Sequence, residues 1–216
     1  MVTTLLWDHD GILVDTEHLY FQATRDTLAQ VGVELDEAQY RQLFLVQARG
    51  AWHLAEDRGV APETLAALKR ARNARYTELL VSSDVLAPDI LTLLDTLAPR
   101  FRMAIVTSSR RVHFDAIHRA SGVPSRFELI LAREDYENSK PAPEPYLTAM
   151  ARMGVKPAEC LVIEDSERGV TAAHAAGVRC WALPSELTRH SSFALAERTF
   201  ASLPELVAAL ATQAAR

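Results

Sequence analysis

The feature that most constrains the fold is a short apolar run near the N-terminus that ends in two carboxylates. The segment Leu5-Leu6-Trp7 is followed directly by Asp8-His9-Asp10-Gly11. A continuous apolar run closed by a polar turn that contains glycine is typical of a parallel β-strand buried on both faces. Ligands of open α/β sheets bind beyond the carboxyl ends of the strands, so we expect the chemistry of the protein beside these two acids.

The rest of the chain separates into a helical block and an alternating block. Amphipathic stretches between 17 and 83 predict helices only, at 18–31, 36–45, 50–58 and 62–80. Beyond this block the pattern predicts strands at 102–106, 129–131, 160–163 and 180–183, and helices at 88–97, 110–121, 144–153, 167–176 and 203–210. Such alternation is typical of a doubly wound parallel sheet. We predict an α/β, Rossmann-like core of 1–16 and 84–216 with an inserted α-helical domain at 17–83.

Composition excludes several classes of function. The net charge of −5 is unfavourable for binding a nucleic-acid backbone. No apolar run approaches the ~20 residues that span a bilayer, and the first residues lack a signal-peptide pattern. Cys160 and Cys180 each lie in an apolar run, which indicates buried core thiols rather than a disulfide. We therefore expect a cytoplasmic protein with neither nucleic acid nor membrane as a partner.

The acid pair itself narrows the chemistry. Carboxylates this close repel each other unless a divalent cation, a shared proton or a nearby cationic side chain compensates them, and oxygen ligands favour Mg²⁺. A carboxylate can also attack a phosphoryl group while a second acid protonates the leaving oxygen. That reaction needs hydroxyl and N–H donors, a fixed cation and a further carboxylate that binds the metal.

Candidates for these groups follow the later strands. Thr107-Ser108-Ser109 precedes a helix and forms either an anion site or a simple N-cap at Ser109. Lys140 lies in the loop Ser139-Lys140-Pro141-Ala142-Pro143, where the prolines restrict the backbone. Glu164-Asp165-Ser166 ends another apolar strand; Ser166 is expected to cap the next helix, and Asp165 to reach a metal.

The order of these motifs resembles the haloacid dehalogenase superfamily, in the branch with a helical cap after the first strand. The motifs are Asp8-x-Asp10-Gly11, Thr107, Lys140-Pro141 and Glu164-Asp165. Asp15-Thr16-Glu17 and Glu164-Asp165-Ser166-x-x-Gly169 are similar to the phosphoglycolate phosphatase and beta-phosphoglucomutase type. The resemblance covers essentially the whole chain and makes 17–83 the cap.

The resemblance implies a role for each motif residue. Asp8 is the expected nucleophile and Asp10 the general acid/base, while Thr107 and Lys140 anchor the phosphate and the aspartate. Mg²⁺ is expected on Asp8, the Asp10 carbonyl and Asp165, with Glu164 either a direct ligand or a support around the metal. The remaining phosphate contacts are expected from Gly11, Ser108 and Ser109.

The expected activity is a Mg²⁺-dependent phosphatase acting on a small phosphate ester through an aspartyl-phosphate, and we expect a monomer. Phosphoryl transfer of the beta-phosphoglucomutase kind is the alternative, but Tyr20 stands where the mutase has a histidine, and His18 lies on another helix face. A receiver-like module is disfavoured by the helical block and by the position of Asp10. A non-catalytic module that only binds phosphate is disfavoured because every chemical position is filled. Asp10 also argues against a dehalogenase.

Two positions, His9 and Arg49, remain open at this level. His9 stands where the family usually has an apolar residue, and it is either a titrating group beside the nucleophile or a packed ring without a chemical role. Arg49, in the loop 47–50, either grips a distal group of the substrate or merely starts a helix. The basic residues Lys69, Arg70, Arg72 and Arg75 are expected on a solvated helix face.

Overall fold

The computed structural model describes residues 1–47 and 49–213 of the chain. The chain divides into two compact units. The α/β unit comprises Met1–Asp15 and Leu86–Arg216, and the helical unit comprises Thr16–Val85. Within the described residues no helix has both the length and the apolar character needed to cross a membrane.

The α/β unit is built on a six-stranded sheet in which every strand pair is parallel. The strands are β1 Thr4–Trp7, β2 Arg102–Val106, β3 Leu129–Leu131, β4 Cys160–Glu164, β5 Arg179–Ala182 and β6 Arg198–Thr199. Their order is β3-β2-β1-β4-β5-β6, so β1 lies between β2 and β4. The predicted doubly wound fold is confirmed, although β6 was not predicted, because its two residues are exposed and form no apolar run.

The helical unit contains α1 Glu17–Ala29, α2 Glu37–Tyr40, α3 His53–Glu56 and α4 Pro62–Ser82, with a π-helix at Arg41–Val46. The single helix predicted at 36–45 is wrong, since its second half widens into the π-helix, where the N–H of Gln47 donates to the carbonyl of Gln42 (3.0 Å). The helix predicted at 50–58 shrinks to one turn, because Gly50 has a φ of +72° and the helix forms only from His53.

The helices of the α/β unit are α5 Ile90–Leu97, α6 Arg111–His118, α7 Glu144–Met153, α8 Glu167–Ala175 and α9 Leu203–Gln213. Several predicted boundaries are wrong, including the end of α9, which lies three residues beyond the predicted residue 210. The helix predicted from 88 begins at Ile90 because Asp89 is left-handed, with a φ of +56°. The helix predicted at 110–121 starts after the extended Arg110 and ends at His118, three residues before the expected end.

One apolar core supports the sheet face below the candidate site. It joins side chains of β1, β2, β4 and β5 to α7 and α8 and includes Leu6, Ala104, Val162 and Tyr146. Cys160 and Cys180 belong to the same cluster as free, buried thiols, which confirms their prediction as core residues. A strand whose side chains are buried cannot shift its register without exposing apolar side chains to water. The residues that follow each buried strand are therefore held at fixed positions.

Candidate active site

Three adjacent strands end at one edge of the sheet and carry the candidate residues there. Asp8 follows β1, Thr107 follows β2, and Glu164 is the last residue of β4. The backbone hydrogen bonds between β1 and β4 continue beyond the end of β1, where the N–H of Asp8 donates to the carbonyl of Ile163 (2.8 Å). These residues therefore lie at the carboxyl edge, on both sides of the central strand where the chain order reverses.

A tight turn at Gly11 follows Asp8 and brings the backbone close to the side chain of Asp165. Gly11 has a φ of +83°, and its N–H donates to the carbonyl of Val14 (2.7 Å). A Cβ atom at this position would overlap the carboxylate of Asp165. Glycine is thus required both by the backbone conformation and by the close approach of an acidic side chain.

Lys140 places a cation at this edge and is only 4% exposed. Its ammonium donates to Oδ1 of Asp8 (2.7 Å), to Oε1 of Glu164 (2.7 Å) and to the carbonyl of Val106 (2.8 Å). It also lies over the ring of Tyr146, at 5.0 Å from the centroid. Three acceptors match the three N–H donors of an ammonium group, so the amine is fixed in one position.

Glu164 is fully buried and held on both oxygens. Oε1 accepts from the hydroxyl of Tyr146 (2.6 Å) as well as from Lys140, and Oε2 accepts from the hydroxyl of Ser166 (3.0 Å). Ser166 also caps α8, as predicted, because its side chain accepts from the N–H of Gly169 (3.2 Å). A Cβ atom at Gly169 would overlap the carboxylate of Glu164, which explains the glycine of this motif.

The charges of these buried groups act strongly on one another. Burial, and next the charge of Glu164, raise the pKa of Asp8 to about 7, although Lys140 acts in the opposite direction. Burial alone would raise the pKa of Glu164, but the charge and hydrogen bond of Lys140 outweigh it and lower that pKa. The pKa of Lys140 is raised despite burial, because both carboxylates favour its charged form.

The acidic side chains also form a group that could hold a metal ion. Asp8, Glu164 and Asp165 are buried, and one oxygen from each lies within 4.8 Å of the others. Together they bring three carboxylates against one ammonium group, Lys140. Hard oxygen donors with excess negative charge suit a divalent cation, so the donor set fits the cation that the sequence predicts.

Asp10 is partly exposed, and several groups contact its Oδ2 atom. Its Oδ2 accepts from the hydroxyls of Thr107 (3.1 Å) and Ser109 (2.8 Å) and lies 3.2 Å from Nδ1 of His9. The possibility that Ser109 simply caps the following helix is therefore wrong. The N-cap position of α6 is Arg110, and its side chain makes no capping bond.

Comparison with known proteins fits this arrangement. The family model described as Haloacid dehalogenase-like hydrolase matches residues 5–183. The chain belongs to this family. The resemblance inferred from the motifs is thus confirmed, and so is the prediction of an enzyme of the phosphoric monoester hydrolase class.

Several relatives of the family are similar over most of their length. Protein CbbY of Rhodobacter capsulatus is 37% identical over 222 residues, which cover 97% of this chain and 96% of that protein. The fructose-1-phosphate phosphatase YqaB of Escherichia coli is 28% identical over 177 residues, covering 81% and 92%. A crystal structure of CbbY from Rhodobacter sphaeroides in complex with xylulose-(1,5)bisphosphate is 30% identical, with a TM-score of 0.82 and coverage of 95% and 96%.

Ser108 and Arg49 are the remaining residues that the sequence predicts to contact the substrate. The hydroxyl of Ser108 lies 3.3 Å from that of Ser139, at the rim of the same edge. Arg49 belongs to the helical unit and is exposed. It does not start a helix, since α3 begins at His53, so that alternative is wrong. Its neighbour Ala48 in the same loop lies outside the described residues.

Two supporting residues were not predicted from the sequence. Tyr146 of α7 donates to Glu164, and His118 of α6 lies 2.8 Å from Nε2 of His9 through its own Nε2. Both are polar residues on the buried face of an amphipathic helix. The apolar spacing that places them on this face is the only sequence signal that marks them. The ring of His9 packs against Phe114 of α6 and also contacts Asp10, so the choice between its two predicted roles stays open.

Proposed function

We propose that the chain is a Mg²⁺-dependent phosphatase that hydrolyses a small phosphorylated metabolite through an aspartyl-phosphate on Asp8. The observation that supports this most directly is the pair of acids at the end of β1, in which Asp8 is bound by a buried ammonium group while Asp10 is held by hydroxyls. The two acids thus have different surroundings, as a nucleophile and a general acid/base require.

Asp8 is proposed to attack phosphorus with a carboxylate oxygen. A carboxylate and a phosphoryl dianion repel each other, so the attack needs positive charge fixed beforehand. Lys140 supplies such a charge at 2.7 Å from Oδ1 of Asp8, and its three hydrogen bonds keep it from moving as the reaction proceeds. Burial strengthens this interaction, because little water screens it.

Asp10 is proposed to transfer the protons of both half-reactions. In the first, its protonated carboxyl group gives a proton to the leaving oxygen as the ester P–O bond breaks. In the second, the resulting carboxylate takes a proton from the water that attacks the phosphorus of the aspartyl-phosphate. The bond between phosphorus and the Asp8 oxygen then breaks, which restores the Asp8 carboxylate and releases inorganic phosphate. The hydroxyls of Thr107 and Ser109 hold Oδ2 throughout, and Thr107 is in turn fixed by its N–H bond to the carbonyl of Leu131 (2.9 Å).

For the metal we propose Asp8, the carbonyl of Asp10 and Asp165 as ligands. Mg²⁺ bound there supplies positive charge to the phosphoryl oxygens. Glu164 is proposed as a support outside the ligand set, because both its oxygens already accept hydrogen bonds from Lys140, Tyr146 and Ser166. It then orients Lys140 rather than the ion.

A phosphorylated sugar is the proposed substrate class. The relatives support it, since one is a fructose-1-phosphate phosphatase and another was crystallised with xylulose-(1,5)bisphosphate. Hydrolysis is favoured over mutase chemistry because Tyr20 replaces the mutase histidine. Its ring packs against Tyr76 (5.0 Å between centroids) and beneath the guanidinium of Arg72 (4.5 Å). Distal contact by Arg49, the division at 16/17 and 83/84, a monomeric state and a cytoplasmic location stay predictions.

The test is a panel of phosphate esters assayed for released phosphate in the presence of Mg²⁺. The panel contains fructose 1-phosphate, xylulose 1,5-bisphosphate, phosphoglycolate and nucleoside monophosphates, with Asp8→Asn as the matched control. We expect release from at least one sugar phosphate by the wild type only. To separate a mutase, beta-glucose 1-phosphate is supplied with a trace of the bisphosphate. Isomerisation faster than phosphate release would contradict the proposal.

A further inference from the structure

A buried pair of histidines lies directly behind Asp10. His9 is completely buried and His118 is 7% exposed, and their Nε2 atoms are 2.8 Å apart. The other nitrogen of His118, Nδ1, lies 2.7 Å from the hydroxyl of Ser121, and that of His9 lies 3.2 Å from Oδ2 of Asp10. The four side chains therefore form one continuous chain of hydrogen bonds that ends on the proposed general acid/base.

The direction of this chain follows from its outer end. The hydroxyl of Ser121 accepts from the N–H of Val123 (3.2 Å), so its own hydrogen is available to Nδ1 of His118. Burial lowers the pKa of His118 to about 3, and the His9 ring acts in the same direction, so His118 is neutral near pH 7. With Nδ1 accepting, its single N–H is on Nε2 and donates to His9.

The hydrogen bond from His118 determines which ring nitrogen of His9 carries a hydrogen. Because Nε2 of His9 accepts from His118, the ring N–H of His9 is on Nδ1. That N–H points to Oδ2 of Asp10, which already accepts from Thr107 and Ser109. One oxygen of Asp10 is then fixed by three donors, two from the segment 107–109 and one from His9.

We propose that His9 and His118 are positioning residues that hold the Asp10 carboxyl group in the orientation needed for proton transfer to the leaving oxygen. This inference rests on the proposed phosphatase function. Both rings are buried, and they act through Asp10 rather than on the substrate. A pair kept only for packing would need no matched donors and acceptors, since Phe114 already packs against both rings in a tilted arrangement, with centroids 5.1 Å from His9 and 4.5 Å from His118.

The step that depends on this orientation is the first half-reaction. An oxygen of Asp8 forms a bond to phosphorus while the ester P–O bond breaks, and the electron pair of that bond passes to the leaving oxygen. The leaving oxygen takes the proton of Asp10, and the Asp10 carboxylate that results accepts from His9, whose Nδ1 keeps its own proton throughout. A misdirected carboxyl group therefore slows departure of leaving groups that need a proton.

The leaving group provides the experiment. Phenyl phosphate and p-nitrophenyl phosphate have similar shapes, but phenoxide leaves poorly without a proton whereas p-nitrophenoxide leaves readily. The ratio kcat/KM reports only the steps up to the first irreversible one, and so excludes hydrolysis of the aspartyl-phosphate. We expect His118→Phe to lower kcat/KM about tenfold for phenyl phosphate, the scale of a modest misplacement of a catalytic group, and to leave p-nitrophenyl phosphate nearly unchanged.

Variants of the same region supply the controls. His9→Leu should show the same selective loss, and His9→Asn should recover part of it, because the asparagine amide can donate to Asp10 from about the Nδ1 position. His113→Phe removes another buried histidine of α6 and should change neither ester. Equal losses on both esters, or none, in folded His118→Phe would overturn the inference.

Imidazole ¹⁵N spectra of the wild type decide the hydrogen bond without turnover. We expect His9 to carry its proton on Nδ1 and to have an unprotonated Nε2, with the opposite arrangement in His118. A His9 ring without a proton on Nδ1 overturns the inference even if every variant fails to fold. A wild type that hydrolyses no ester but shows these tautomers would contradict the proposed function alone.

Discussion

The two units each bury a cationic side chain, and they compensate its charge differently. Lys140 of the α/β unit, 4% exposed, donates to two carboxylates and a carbonyl. Arg72 of the helical unit, 8% exposed, lies over the rings of Tyr20 (4.5 Å) and Trp52 (5.5 Å). Its hydrogen bonds in the described part of the chain go to the hydroxyl of Thr24 (3.4 Å) and the side-chain oxygen of Asn73 (2.9 Å), both neutral.

The two cations differ in the partners that allow them to be buried, and this difference indicates their roles. A planar guanidinium is weakly hydrated and stacks on aromatic faces, so Arg72 can be buried without a buried anion. The ammonium of Lys140 is strongly hydrated and is buried only with anions in place. Buried ion pairs of this kind add little stability compared with apolar packing, which suggests that the carboxylates around Lys140 are retained for chemistry.

The strongest test of this comparison is removal of the nucleophile. Asp8→Asn keeps the shape of the side chain and an acceptor for Lys140, yet it removes the charge and the nucleophilic oxygen. We expect kcat for phosphate release to fall by about 10⁴-fold or more, the scale for groups that act directly in catalysis. Circular dichroism should show an intact fold. Turnover within tenfold of wild type would mean that the carboxylates of Lys140 are structural.

Metal removal should have the next largest effect. Three buried carboxylates lie together at this site and would repel a phosphoryl dianion, so chelation with EDTA should remove most of the turnover, and added Mg²⁺ should restore it. Binding can be read without activity, because Mg²⁺ at about 100 times its Kd stabilises the folded state by about 2.7 kcal/mol. We expect this stabilisation in the wild type and a much weaker one in Asp165→Asn. Full activity after chelation would contradict the metal assignment.

Loss of the cation itself should affect both activity and stability. Lys140→Met should lower kcat by about a hundredfold, as for removal of one preorganised electrostatic donor. It should also reduce the free energy of unfolding by about 3–5 kcal/mol, because Asp8 and Glu164 remain buried without their partner. A change confined to KM would show that Lys140 only binds the substrate.

Much of the α/β unit could be predicted because its signals are local. Apolar runs as continuous as those of β1, β2 and β4 form strands, and parallel strands necessarily bring their carboxyl ends together. The sequence alone could therefore predict that the residues following these strands lie together. The partners that were missed join distant segments, as in the contact between His9 and His118, which are 109 residues apart. A single sequence does not show which helix face meets which loop.

The helical unit was harder to predict because its cues are weaker. The six residues of the π-helix keep an apolar spacing that also suits an α-helix, so the change in winding leaves no mark in the sequence. Arg72 was expected to face solvent with its basic neighbours, and this was wrong. Its position continues the buried stripe of α4, formed by Leu65, Leu68, Arg72, Tyr76 and Leu79. The stripe was a usable signal that the charge of the arginine obscured.

The smallest expected effect completes the comparison. Arg72→Met keeps a long stem for packing and removes the guanidinium, and it leaves behind only neutral hydroxyl and amide groups and ring faces. Since no charge is stranded, we expect the free energy of unfolding to fall by about 1 kcal/mol, the scale of a cation–π contact. Urea unfolding of this variant and of Lys140→Met measures the difference, with circular dichroism and tryptophan fluorescence compared because the two units can unfold separately. A loss as large as that of Lys140→Met would show that ring faces alone do not balance the charge of Arg72.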